Sequence, residues 1–113
     1  MDQALQEQIQ ELQFLEQQLQ QLSMQKQSLQ VEHAEVLNAT REVTATSGEV
    51  YKIVAGIMVK TDKAQALKEL SEKEKNFSSK LKTLEQHEEA LVKQEEQTRT
   101  HVQSAVEKQK KKT

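Results

Sequence analysis

The chain has 113 residues, 30% of them charged and only 3% aromatic, with no proline, cysteine or tryptophan and just two glycines, Gly48 and Gly56. Two glycines leave few places to turn, and three aromatic residues (Phe14, Tyr51, Phe77) are too few to fill a centre, which argues against a single globular core. Regular apolar spacing without proline argues equally against disorder, and long helices remain.

The net charge is −2, but it is unevenly divided. Residues 1–59 hold three Lys/Arg against eight Asp/Glu, whereas residues 60–113 hold thirteen against ten, so the halves differ in sign and attract each other. The absence of cysteine removes any disulfide framework and is compatible with a reducing compartment. The opening MDQALQEQIQ lacks the basic-then-apolar pattern of a signal peptide, and no apolar run approaches a membrane span, so a soluble, cytoplasmic protein is expected.

From Leu5 onward one seven-residue frame recurs. Leu5, Leu12 and Leu19 share one position, and Leu15, Leu22, Leu29, Val36 and Val43 share the position three residues later, as in an a/d coiled-coil seam. The twelve glutamines among residues 1–30 read as helix-forming, solubilising filler on the outer faces. Residues 1–46 are therefore expected to form an N-terminal coiled-coil helix.

The pattern changes at residues 47–61. Ser47-Gly48-Glu49 ends the helical frame, and two β-branched runs, Val50-Tyr51-Lys52-Ile53-Val54 and Ile57-Met58-Val59-Lys60, flank Ala55-Gly56 as in a β-hairpin. A helical hairpin needs only a short polar connection, so apolar strand formers at the bend require another explanation. A lone strand pair is barely stable, and its open edges and apolar groups call for a partner. Val50, Tyr51, Ile53, Val54, Ile57, Met58 and Val59 are accordingly the candidate oligomerisation residues; the alternative is a hairpin folded back on its own coil.

Residues 62–113 return as a second helix. Asp62 is its candidate N-cap, and Leu67, Leu70, Phe77, Leu81, Leu84, Leu91, Val102 and Ala105 keep the three-four spacing. The basic tail of Lys108, Lys110, Lys111 and Lys112 suits the negative end of the helix dipole. At 1.5 Å per residue each arm spans roughly 65 to 75 Å, so an elongated molecule is expected. Folding back at Ala55-Gly56 sets residue i against residue 110−i, which pairs Leu19 with Leu91, Leu29 with Leu81 and Val43 with Leu67. The same frame sets Lys26 against Leu84, Leu22 against Glu88 and Val36 against Glu74, and a slip by one heptad stays open.

With these features in place the chain resembles a β-type prefoldin subunit, of the archaeal β chain and its eukaryotic relatives. The resemblance rests on Leu22-Ser23-Met24-Gln25-Lys26-Gln27, on the block from Glu49 through Tyr51 and Gly56 to Lys60, and on the segment from Lys80 to Glu89. The single strand pair fits β-type, since α-type subunits carry two hairpins. The resemblance implies a hetero-hexamer of two α-type and four β-type subunits, with the hairpins joined in β-barrels and the coiled coils hanging from them. It implies an ATP-independent holdase, needing no cofactor, that captures unfolded polypeptides at the coil ends and passes them to a group II chaperonin in the cytosol. By position the client-binding residues are Met1, Leu5, Ile9, Leu12, Val102, Ala105 and Val106. Leu5 meets only Ala105 in the frame and Leu12 meets Thr98, so the ends are expected to open easily.

The competing reading is a coiled-coil scaffold or adaptor that holds no clients, which heptads alone do not distinguish from a chaperone. Enzymatic chemistry finds no support. His33 lies at a seam position, His87 and His101 are fourteen residues apart, and there is neither a metal-ligand spacing nor a glycine-rich phosphate loop. Nucleic-acid binding is also unsupported, because a leucine-zipper protein places a long basic region before its heptads and this chain begins with Asp2, Glu7 and Glu11. The lysine tail serves either solubility or docking on an acidic chaperonin surface.

Overall fold

Uninterrupted helix formers with no proline and no glycine before Gly48 allow a single helix, α1, over Gln3–Ala45. It is followed by strands β1 (Val50–Val54) and β2 (Ile57–Thr61) and by a second helix, α2, over Lys63–Lys112. The structure, a computed structural model, describes residues 3–112 in backbone and residues 3–110 in side chain. The fold class is thus the expected one: two long helices with one antiparallel strand pair between them.

Both junctions are closed by specific polar contacts. Asp62 caps α2, its Oδ1 accepting from the Gln65 backbone N–H at 2.7 Å and its carbonyl accepting from that of Ala66 at 3.0 Å. At the end of α1 the last carbonyls would otherwise lack partners. Lys63 Nζ, from the first turn of α2, donates to the carbonyls of Thr44 at 2.9 Å and Thr46 at 3.1 Å. Gly48 N–H donates to Thr46 Oγ1 at 3.2 Å, which turns the chain toward β1.

The chain divides into two compact units. One joins α1 up to Lys26 with α2 from Thr83 onward, and its core is the leucine cluster Leu15, Leu22 and Leu91, with Leu19 and Leu84 packed against it. Each such leucine contributes about 1.5 to 3 kcal/mol of burial, so a few layers suffice to hold a helix pair. The other unit spans residues 27–82, where Val36 and Ala66 are buried and Leu29, Val43, Leu67, Leu70, Phe77 and Leu81 are half-buried. It also carries the strand pair, whose register sets Val50 opposite Thr61, Tyr51 opposite Lys60, Lys52 opposite Val59, Ile53 opposite Met58 and Val54 opposite Ile57.

Candidate functional site

Side chains alternate across a strand pair, so the register assigns its two faces. Tyr51, Ile53, Met58 and Lys60 share one face; Val50, Lys52, Val54, Ile57, Val59 and Thr61 share the other. Both faces are apolar toward the turn. Ile53 is 74% exposed, Met58 68% and Ile57 67%, the most exposed large apolar side chains among the described residues, and Tyr51, Val54 and Val59 are exposed as well. Of the candidate oligomerisation residues only Val50 is partly covered.

The charged residues lie at the base of the pair and are held there. Lys52 Nζ donates to Glu69 Oε1 on α2 at 3.3 Å, and Lys60 Nζ donates to Glu49 Oε1 at 3.1 Å. The Tyr51 hydroxyl donates to the other Glu49 oxygen. The phenol and the Lys60 ammonium hold the Glu49 carboxyl below its ordinary range, and the carboxylate in turn pushes the Tyr51 hydroxyl up. Glu69 is also lowered, first by the hydrogen bond from Gln65 and then by Lys52. One turn-end half of the hairpin is therefore uncharged, while the base is clasped to its own helix.

At the other candidate site the helix pair covers the residue that the facing frame sets only against Ala105. Leu5 is 2% exposed, deeper than Leu15 at 3% or Leu22 at 8%. Ile9, Leu12, Val102, Ala105 and Val106 are half-buried, so of the residues proposed by position Leu5 is covered and these five are partly accessible. Met1 lies outside the described residues. Two polar residues interrupt the seam beside them: Glu95 and Thr98 are buried, and Arg99 contacts the Glu95 carboxylate while reaching Glu16 on α1 at 3.4 Å. Lys108 and Lys110 are exposed, and the side chains of Lys111 and Lys112 lie outside the described set.

The seam itself contains pairs that a strictly face-to-face frame misses. Lys26 Nζ lies 3.3 Å from Glu88 Oε1, and His33 Nε2 lies 3.2 Å from Glu74 Oε1. The facing frame sets Lys26 against Leu84 and, by the same 110−i rule, His33 against Phe77; the two polar side chains instead reach diagonally by about one helical turn. A polar side chain with a carboxylate one turn away across the seam, Lys26 with Glu88 and His33 with Glu74, was the signal for them. Phe14, Met24 and Val31 stand exposed on the outer surface of α1, off the a/d positions and therefore outside the frame used to find the seam. Among the described residues no group of three His, Cys, Asp or Glu gathers to hold a metal, and no helix is long and apolar enough to cross a membrane.

A family model described as "Prefoldin subunit" matches residues 6–109. The crystal structure of the prefoldin beta subunit from Thermococcus strain KS-1 is 33% identical and superposes with a TM-score of 0.86, over 92% of this chain and 93% of that one. The prefoldin beta2 subunit from the same strain, 18% identical, matches in fold with a TM-score of 0.71 over 77% of this chain and 95% of that one. No curated protein sequence matches the chain significantly.

Proposed function

Because the chain belongs to the prefoldin subunit family and follows its β-type pattern, we propose that it is one subunit of an ATP-independent holdase, a hetero-hexamer with two α-type and four β-type members. Prefoldins are a chaperone family rather than an enzyme family, and their subunits form hetero-oligomers with other prefoldin subunits. The observation that carries the proposal is the strand pair. It exposes Ile53, Ile57 and Met58 on two faces and leaves both edges unpaired, an arrangement that association would cover.

In this reading the helix-pair ends hold unfolded polypeptide through Leu5, Ile9, Leu12, Val102, Ala105 and Val106 when they part. Each contact is weak, but several arms on one assembly raise the effective concentration of every later contact. Transfer to a group II chaperonin in the cytosol, with the lysine tail docking on an acidic surface, completes the cycle.

The test separates assembly from capture. Ile53→Asp with Ile57→Asp places unpaired charges in the interface and abolishes the hexamer, read by sedimentation after mixing with an α-type subunit. Ile9→Ser with Val106→Ser keeps the hexamer and reduces suppression of aggregation of an unfolded test protein without ATP; Leu5 is left intact because its burial would confound the result. An assembled wild-type protein with no suppression would leave the scaffold reading in its place.

A further inference from the structure

The charges at the two helix ends beside the bend are misplaced for either helix taken alone. A helix is steadied by a cation in its last turn and an anion in its first. α1 has no basic residue in its last turn and α2 no acidic residue in its first, and α2 begins instead with Lys63, where a cation opposes the helix dipole. The neighbouring helix explains it. Lys63 Nζ donates to the carbonyls of Thr44 at 2.9 Å and Thr46 at 3.1 Å, so the ammonium missing from the end of α1 is supplied from the start of α2.

The chain connections at the bend are unequal. Strand β2 ends at Thr61 and α2 starts at Lys63, with only the capping Asp62 between them. Strand β1 is separated from α1 by residues 46–49, Gly48 among them. α2 therefore runs almost directly out of the strand pair, whereas α1 is joined to it through a four-residue link. Packing adds little to hold α1 there: of the seam residues closest to the bend, Val43, Leu67 and Leu70 are half-buried and only the small Ala66 is buried.

We infer that Lys63 is the positioning residue of the bend. It pins the last carbonyls of α1 to the first turn of α2, so that when the helix pair parts to hold a client the parting is confined to the free ends. Without the pin α1 swings on residues 46–49, and the seam opens from the bend as well. Lysine suits the task because its ammonium carries several donors on a flexible stem, enough to reach two carbonyls of another helix. The purpose of the pin rests on the holdase reading above; its geometry does not.

The test compares Lys63→Met, which keeps the length and loses the donors, with Lys63→Arg, which keeps donors and charge, in the full chain mixed with an α-type prefoldin subunit. Arg41→Cys and Lys68→Cys, at exposed positions on the two helices within one unit, carry spin labels, and unlabelled copies in excess restrict the reading to distances within one chain. Lys63→Met broadens the distance distribution and speeds amide exchange over residues 42–46 about tenfold, while the strands exchange at the wild-type rate. Lys63→Arg restores both. Wild-type width and exchange in Lys63→Met overturn the inference, as does a Lys63→Arg variant as loose as Lys63→Met. Faster exchange throughout the strands overturns it in favour of general destabilisation. With an unfolded test protein bound to the wild-type assembly, amides around Leu5 exchange faster and those of residues 42–46 do not; loss of protection at both places overturns the confinement. The distances are measured without client and decide on the pin by themselves, whereas suppression of aggregation by the wild-type assembly decides on the holdase reading.

Discussion

Lys26 on α1 and Glu88 on α2 form an ion pair at 3.3 Å inside the helix seam, with side chains only 26% and 29% exposed. Neither residue is an obvious seam choice by hydrophobicity, yet each supplies the counter-charge that lets the other sit there. A double-mutant cycle isolates the coupling. Lys26→Glu and Glu88→Lys singly lower the melting temperature, and the charge-swapped double variant recovers much of the loss, with a coupling energy on the order of 1 kcal/mol. Replacing both by leucine is neutral or stabilising, because the seam then gains apolar layers and loses two desolvated charges. A cycle with no coupling would mean that the pair makes no contact in solution.

The start of α2 provides a local test. Asp62→Ala removes the acceptor for the Gln65 N–H and costs about 1 kcal/mol, while Asp62→Ser retains most of the cap. Thermal melting of the full chain reads the difference, and an Asp62→Ala variant as stable as wild type would show that Lys63 and the hairpin hold the junction without the cap.

The helices and the bend were legible because their signals are periodic or local. Leu15, Leu22 and Leu91 are core residues in the structure as the heptads require, and the two-residue turn is where Ala55-Gly56 predicts it. The diagonal pairs Lys26–Glu88 and His33–Glu74 were less visible, since a facing-residue frame asks only what lies directly opposite. Leu5 shows the other gap. Pairing it with Ala105 suggests a thin layer, but burial is set by every neighbour around the helix pair, and the structure closes over Leu5 almost completely.

The base of the hairpin responds to pH in two directions. Glu49 and Glu69 have carboxyls lowered from the ordinary 4.5, so their contacts stabilise the clasp above that value and are lost as pH falls through the lower folded values. Tyr51 is raised above 10.0, so its bond to Glu49 is present below pH 10.0 and is lost as pH rises through the higher folded value. The groups are exposed, and salt weakens the effect. Tyr51 is the only tyrosine and there is no tryptophan, so phenolate absorbance reports it cleanly. Glu49→Gln moves the Tyr51 titration back toward 10.0, and an unchanged titration would show that the carboxylate does not hold the phenol in solution.

The buried Glu95 links seam stability to capture. It is 9% exposed at a seam position, and Arg99, which also reaches Glu16, supplies its counter-charge from one turn along α2. Arg99→Ala leaves the carboxylate without that partner and destabilises this unit by about 1 to 3 kcal/mol. Glu95→Leu does the opposite, replacing a desolvated charge with about 1.5 to 3 kcal/mol of apolar burial. If clients are held by side chains that the closed helix pair covers, the two variants must move capture in opposite directions. Arg99→Ala speeds amide exchange around Leu5 and raises suppression of aggregation, whereas Glu95→Leu slows exchange and lowers suppression, with the hexamer intact in both. A Glu95→Leu assembly that protects Leu5 yet suppresses aggregation as well as wild type would show that the ends need not part. The exposed outer residues Phe14 and Met24 on α1 would then be the apolar surface to substitute next.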